Sequence, residues 1–159
     1  MLRRTQIAIV AALLLVLAIQ LYRPSTTNPI SDRTRDIRSV LTVEPQVASV
    51  IDRSCSDCHS NQTVWPWYSH VAPASWLVVS DVNRGRAAMN FSDWTKYSAK
   101  QQREYLEDIC SEISQGEMPA VQYTLMHSEA RLTTAEKAAM CRWTSGALSS
   151  VRSGMPVRD

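Results

Sequence analysis

The hydrophobic pattern is strongest at the start of the chain, where Arg3 and Arg4 precede an uncharged apolar run from Ile7 to Leu21 broken only by Gln20. A basic flank before an apolar stretch is the pattern of an export signal, because the positive end stays in the cytoplasm while the remainder of the chain crosses the bilayer. Thr5 to Tyr22 is 18 residues, short for a span but longer than most cleaved apolar cores, and no small-x-small cleavage site precedes Pro24. Residues 1–22 are therefore expected to remain as a transmembrane helix. The alternative is cleavage that releases the rest as a soluble protein.

Residues 23–43 are rich in Ser, Thr, Asp and Arg, hold two prolines and show no sustained apolar period, which predicts a linker. Beyond it the apolar spacing becomes helical. Glu44-Pro45 opens a helix that buries Val47, Val50 and Ile51. Pro73 starts another, carrying Trp76, Leu77 and Val82, with Gly85 expected to end or kink it. Ser98-Ala99-Lys100-Gln101 is a capping box, succeeded on one face by Tyr105, Leu106, Ile109, Cys110 and Ile113 until Gly116 stops the helix. A second capping box, Thr133-Thr134-Ala135-Glu136, opens a last helix to about Leu148. The stretch from Asn61 to Ala72, with Trp65-Pro66-Trp67-Tyr68, is too proline-broken for regular structure. No two-residue alternation and no fixed-period repeat occurs, so the expected fold is all-α: one domain over 44–150 and a tail at 151–159.

Charge narrows the partners. Arg3, Arg4 and Arg23 account for three of the 17 basic residues, which leaves 14 basic against 15 acidic side chains beyond residue 23. That near-neutral balance, with no basic stripe, argues against nucleic-acid binding. Five tryptophans accompany a single phenylalanine, Phe91, and such broad rings suit the walls of a large flat cofactor as well as an ordinary core.

The chemistry-bearing motif is Cys55-Ser56-Asp57-Cys58-His59. Two thiols three positions apart, with a histidine immediately after, are what covalent haem attachment requires: each sulfur adds to one vinyl group, and the histidine becomes the proximal iron ligand. The competing readings are a zinc knuckle and a redox dithiol. Adjacent Cys58 and His59 diverge on a helix and do not readily share one ion, and a redox dithiol belongs after a strand in a βαβ pattern, which is absent here. One covalently bound haem c is the expected cofactor.

A sixth iron ligand is offered by Gly116-Glu117-Met118-Pro119 just past a helix end, where proline stiffens a loop able to hold the Met118 thioether over the ring. Met155 in Gly154-Met155-Pro156, His70 and His127 are the alternatives. Cys110 and Cys141 remain once haem takes two thiols, and an even pair in an oxidising compartment is a candidate disulfide closing the Met118 loop; two small buried residues are the other reading. Arg84 and Arg86 flank Gly85 and are candidates for haem propionates, with Trp65 and Trp67 candidates for the pocket edge.

Taken together, CSDCHSNQT, WPWYS, VAP-x-SWL, DV-x-x-GR, NFSDW, GEMP and the stretch YTLMHSEARL from Tyr123 to Leu132 resemble the bacterial haem-binding-domain family of single-haem, cytochrome c-like proteins, over roughly residues 45–145. The resemblance implies thioethers at Cys55 and Cys58, proximal His59 and a helical cytochrome c-like domain. The expected function is one-electron transfer between redox partner proteins at the periplasmic side of the cytoplasmic membrane, with no catalytic side chain. The alternative is a peroxidase-like enzyme or gas sensor with a labile sixth ligand and His70 or His127 as the distal polar group.

Overall fold

The computed structural model describes residues 2–153, and every regular element among them is helical. Met155 and residues 154–159 of the expected tail lie outside the described residues. The α-helices are α1 (Leu2–Ile19), α2 (Ile37–Val40), α3 (Pro45–Ser54), α4 (Ser56–His59), α5 (Ala74–Ala88), α6 (Ala99–Gln115), α7 (Val121–Met126) and α8 (Thr134–Ser153). Short 3-10 turns at Arg33–Arg35, Trp67–His70, Phe91–Lys96 and Ser128–Ala130 link them.

Both capping boxes form. Ser98 Oγ accepts from Gln101 N while Gln101 Oε1 accepts from Ser98 N, and Thr133 pairs with Glu136 in the same reciprocal way. Gly116 ends α6 at φ 81°, a left-handed conformation that glycine adopts without a Cβ penalty. The helix begun at Thr134 continues past Leu148 to Ser153.

The core is where α3, α6 and α8 meet. Val47, Val50 and Ile51 of α3, Leu106, Ile109 and Ile113 of α6, and Met140, Trp143 and Ala147 of α8 are all buried. Arg53 locks α3 to α8 with a 2.6 Å ion pair to Glu136 and donates a hydrogen bond from Nε to Glu129 O. Trp143 Nε1 donates to Thr42 O at 2.9 Å. The expected linker is therefore not a free tether: Ile37 and Leu41 are buried in this core, and Asn28 Nδ2 donates to Thr63 O. Ile37, Val40 and Leu41 follow helical spacing for barely one turn, too short for a sustained period, yet Ile37 and Leu41 belong to the same buried cluster as Phe91 and Trp94.

Helix α1 stands away from the core with its apolar side chains exposed, Leu14, Leu15 and Leu17 among them. Its end is tied to the start of α5: Gln20 exchanges hydrogen bonds with the backbone of Ala72 in both directions, and Trp76 Nε1 donates to Tyr22 O. Among the described residues no helix is long and apolar enough to cross a membrane, so the expected transmembrane helix has no support in the structure.

Gly85 neither ends nor kinks α5, which runs through it to Ala88. Its role is close approach. A Cβ built at Gly85 would lie 2.6 Å from the carbonyl oxygen of Cys58 and 3.0 Å from its Cβ. Only a bare backbone lets α5 lie on the Cys-x-x-Cys-His turn.

Cys110 of α6 and Cys141 of α8 form a disulfide, with Cα atoms 4.9 Å apart and a sequence separation of 31. Both packings can be tested by substitution. The Gly85→Ala variant should lose about 1–3 kcal/mol of stability in denaturant melts through overpacking against Cys58, although alanine is the better helix former by about 1 kcal/mol. The Cys110→Ser, Cys141→Ser double variant should lose about 3–4 kcal/mol in the chain-entropy treatment of a loop this long. Alkylation of denatured, unreduced wild type should label neither of these thiols.

Candidate functional site

The Cys-x-x-Cys-His segment forms a single helical turn directly after α3, with Cys55 N bonded to Ile51 O and His59 N to Cys55 O. Its polar residues brace the next stretch of chain. Thr63 Oγ1 donates to Asp57 O at 2.6 Å, Val64 N to Asp57 Oδ1 at 2.8 Å, and Ser60 Oγ to Ser56 O at 2.7 Å. Farther on, Asn90 Nδ2 donates to Asn61 Oδ1, and Asn61 N to Ser92 Oγ, so the NFSDW segment is stitched to the segment after His59.

His59 is oriented by the end of α5. Its Nδ1 lies 3.0 Å from Met89 O, and a carbonyl can only accept. In the neutral ring Nδ1 therefore carries the hydrogen, and Nε2 keeps its lone pair for a metal. Burial holds His59 below the usual histidine pKa, which favours that neutral form.

His59 and Cys55 line a cavity of about 390 Å³ that Met118 and Pro119 also border. Its apolar walls are Met89, Phe91, Ile109, Ile113 and Leu132, with Tyr105, Asp108 and Glu112 at its edge. The size is that of an organic-ligand site. Met118 is 40 % exposed, and the loop carrying it is held by two bonds, from Glu117 N and Met118 N to Glu112 O. Ser54 Oγ, in the same wall, is buried without a hydrogen-bond partner among the described residues.

These features fit haem and fit neither alternative for the motif. Burial pushes the Cys55 thiol up to about 12 and, with help from the Asp57 charge, Cys58 up to about 11. A redox dithiol needs the opposite shift, because the thiolate is the nucleophile. Among the described residues, no group of three or more His, Cys, Asp or Glu side chains could hold a metal ion, which leaves a zinc knuckle without its ligand set. The imidazole Nε2, a thioether on the same cavity, an apolar wall and an unpartnered buried hydroxyl are what an amphiphilic iron macrocycle would meet. Cys58 sits one turn on, against Gly85, and borders a second cavity.

Other sequence candidates lie elsewhere. Arg84 is exposed and paired with Asp81. Arg86 clamps the chain beyond His59, donating from Nε to Ser60 O and from Nη2 to Thr63 Oγ1 and Asn28 Oδ1, with its guanidinium 5.9 Å from the Trp65 ring centre. Trp65 donates to Asn28 Oδ1, and Trp67 is exposed beside Tyr68. Arg84, Arg86, Trp65 and Trp67 do not line the cavity shared by His59 and Met118. Neither do His70, which is exposed, and His127, which bonds to Tyr68. Sequence reasoning missed Met89 O and Ser54. A backbone carbonyl carries no side-chain signature, and one serine at a helix end carries almost none.

No curated protein and no solved structure matches the chain. A family model described as "Haem-binding domain" matches residues 14–146, taking in the 23–43 segment that packs on the core as well as every residue lining the cavity. A cavity with a fixed imidazole, placed inside a match of that length, assigns the chain: it belongs to the haem-binding domain family.

Proposed function

We propose that this protein is an exported single-haem c-type cytochrome that carries electrons one at a time at the periplasmic side of the cytoplasmic membrane. Cys55 and Cys58 would hold haem c through thioethers, and His59 Nε2 and the Met118 sulfur would ligate its iron. The observation that carries this reading is the cavity bordered by Cys55, by His59 with Nδ1 anchored on Met89 O, and by Met118.

When bound, such a haem supplies a reversible one-electron iron couple. The chain does the rest. Met89 O holds the imidazole at a fixed angle and raises its basicity as a ligand. The Met118 thioether is a neutral, soft donor that favours ferrous iron, and its loop is anchored on Glu112 O. Phe91, Ile109, Ile113 and Leu132 keep water from the ring and lower the local dielectric. No side chain is required to transfer a proton. His70 lines neither cavity and both ring nitrogens of His127 are engaged, by Tyr68 and Glu129, which favours a carrier over a peroxidase-like enzyme or a gas sensor.

Arg3, Arg4 and the apolar α1 supply the export signal, and the exposed leucines of α1 are satisfied by lipid if the segment is retained. The disulfide between Cys110 and Cys141 fits the oxidising side of that membrane. The partners of the protein are donor and acceptor redox proteins.

Expression with export and haem-maturation machinery should give an intact mass with one added haem that survives denaturation and acid extraction; a mass without it overturns the proposal. In the Met118→Ala variant the ferric sulfur-to-iron charge-transfer band should vanish, the reduction potential should fall, and carbon monoxide should bind the reduced protein roughly tenfold faster or more once the sixth position is vacant. A band that persists in the variant would remove Met118 as the ligand.

A further inference from the structure

Helix α1 carries no charged or hydroxyl side chain from Ile7 to Ile19, and Ile7, Leu13, Leu14, Leu15 and Leu17 are all exposed. A helix without a polar face is matched only by a protein core or by lipid. It contributes no residue to the buried core of the domain.

The chain that leaves α1 is clamped to the domain instead of hanging from it as a leash. Gln20 meets the Ala72 backbone with both ends of its amide: Nε2 donates to Ala72 O at 3.0 Å, and Ala72 N donates to Oε1 at 3.0 Å. Trp76 Nε1 donates to Tyr22 O at 3.0 Å, and the Tyr22 and Trp76 rings lie 6.1 Å apart. Two bonds from one amide and a third from an indole fix direction as well as position, so the end of α1 and the start of α5 move as one piece. Around that junction Leu21 is 88 % exposed, Tyr22 68 % and Val71 44 %. Arg23 stands beside them, its Nε donating to Gln20 O. A groove of about 430 Å³ opens next to Tyr22 and Trp76, with Ser80, Asn83 and Arg84 as its polar lining. Aliphatic side chains, then a Tyr and Trp pair, then arginine is the order met on passing from hydrocarbon to head groups, because rings with one polar edge concentrate at that level.

We propose that this junction seats the domain on a phospholipid bilayer: lipid covers α1, Tyr22, Val71 and Trp76 sit at head-group level, and the clamp on Ala72 holds the domain at one orientation to the membrane. Lipid is the occupant that suits a helix apolar on every side and leading straight into an aromatic and arginine collar. The inference rests on the membrane location proposed above, and it needs the sides of α1 in lipid, not a complete crossing. None of Leu21, Tyr22, Arg23, Val71 and Trp76 lines either cavity at the Cys-x-x-Cys-His turn, so a group bound there leaves this surface uncovered.

The test uses the full haem-loaded chain with vesicles of phosphatidylcholine and phosphatidylglycerol. The chain should float with the vesicles. Photoreactive benzoylphenylalanine in place of Val71 should give lipid adducts by mass spectrometry about tenfold more often than the same group in place of Ala138, which is exposed on α8, since a residue seated at the interface meets lipid throughout. The Gln20→Ala, Trp76→Phe double variant should float as before, because α1 is intact, while adducts at position 71 fall to the level at 138. A wild type that floats but gives equal adducts at 71 and 138 is a tethered domain, and that result overturns the proposal while leaving the membrane location standing. Adducts at 71 to a second copy of the chain instead of lipid overturn it too. A chain that stays with the soluble fraction overturns both. Should the double variant fail to fold, the comparison of positions 71 and 138 in otherwise wild-type protein decides the matter.

Discussion

The site depends on one contact, the approach of α5 to the Cys58 backbone that Gly85 allows. A helix that carried any side chain there would be held off by the Cys58 carbonyl. The approach matters because the end of the same helix delivers Met89 O to His59 Nδ1. Moving α5 outward would lengthen that bond, free the imidazole to rotate and leave its tautomer unspecified. Packing at a glycine and orientation of a ligand are thus consequences of where one helix lies. Arg86, the next residue along α5, secures the arrangement by gripping Ser60 and Thr63.

The part of the cavity that carries the thioether is organised by α6. Leu106, Ile109 and Ile113 root this helix in the core, Cys110 ties it covalently to α8, and Glu112 O receives the two amides that begin the Met118 loop. Gly116 turns the chain back so that Met118 borders the same cavity as His59 rather than continuing along the helix. The thioether is therefore anchored at its base and partly exposed at its tip.

Two cavities meet at the Cys-x-x-Cys-His turn, and a ring bonded to both sulfurs would reach into both. Cys55 and His59 line one, and Cys58 borders the other. The buried Cys55 and Cys58 thiols are held well above the ordinary cysteine pKa, the opposite of what a redox dithiol needs. On the second side, Tyr68, His127 and Glu129 are joined by hydrogen bonds in one chain.

Much of this is legible in the chain. The spacing of Cys55, Cys58 and His59, both capping boxes, the buried faces of α3 and α6 and the Met118 turn come from local rules, fixed periods and cap chemistry, whereas the even thiol count made Cys110 and Cys141 only a candidate pair that the packing of α6 on α8 decided. Local rules misread residues whose partners lie far off in sequence. Ile37 and Leu41 read as linker because their apolar spacing lasts barely one turn, and they are buried because they pack in the cluster with Phe91 and Trp94. Gly85 reads as a helix terminator because glycine usually is one, and its purpose appears only when Cys58, far earlier in the chain, lies against it. The charge of Arg86 suggests a propionate, but its hydrogen bonds go to neighbours 23 to 58 positions away. Sequence by itself determined the Cys-x-x-Cys-His motif and which segments are helical, since both depend on neighbours within a turn or two. Only the tertiary structure decided which carbonyl orients His59, which side chains wall the cavity and which merely brace it, because those choices depend on non-local packing between helices.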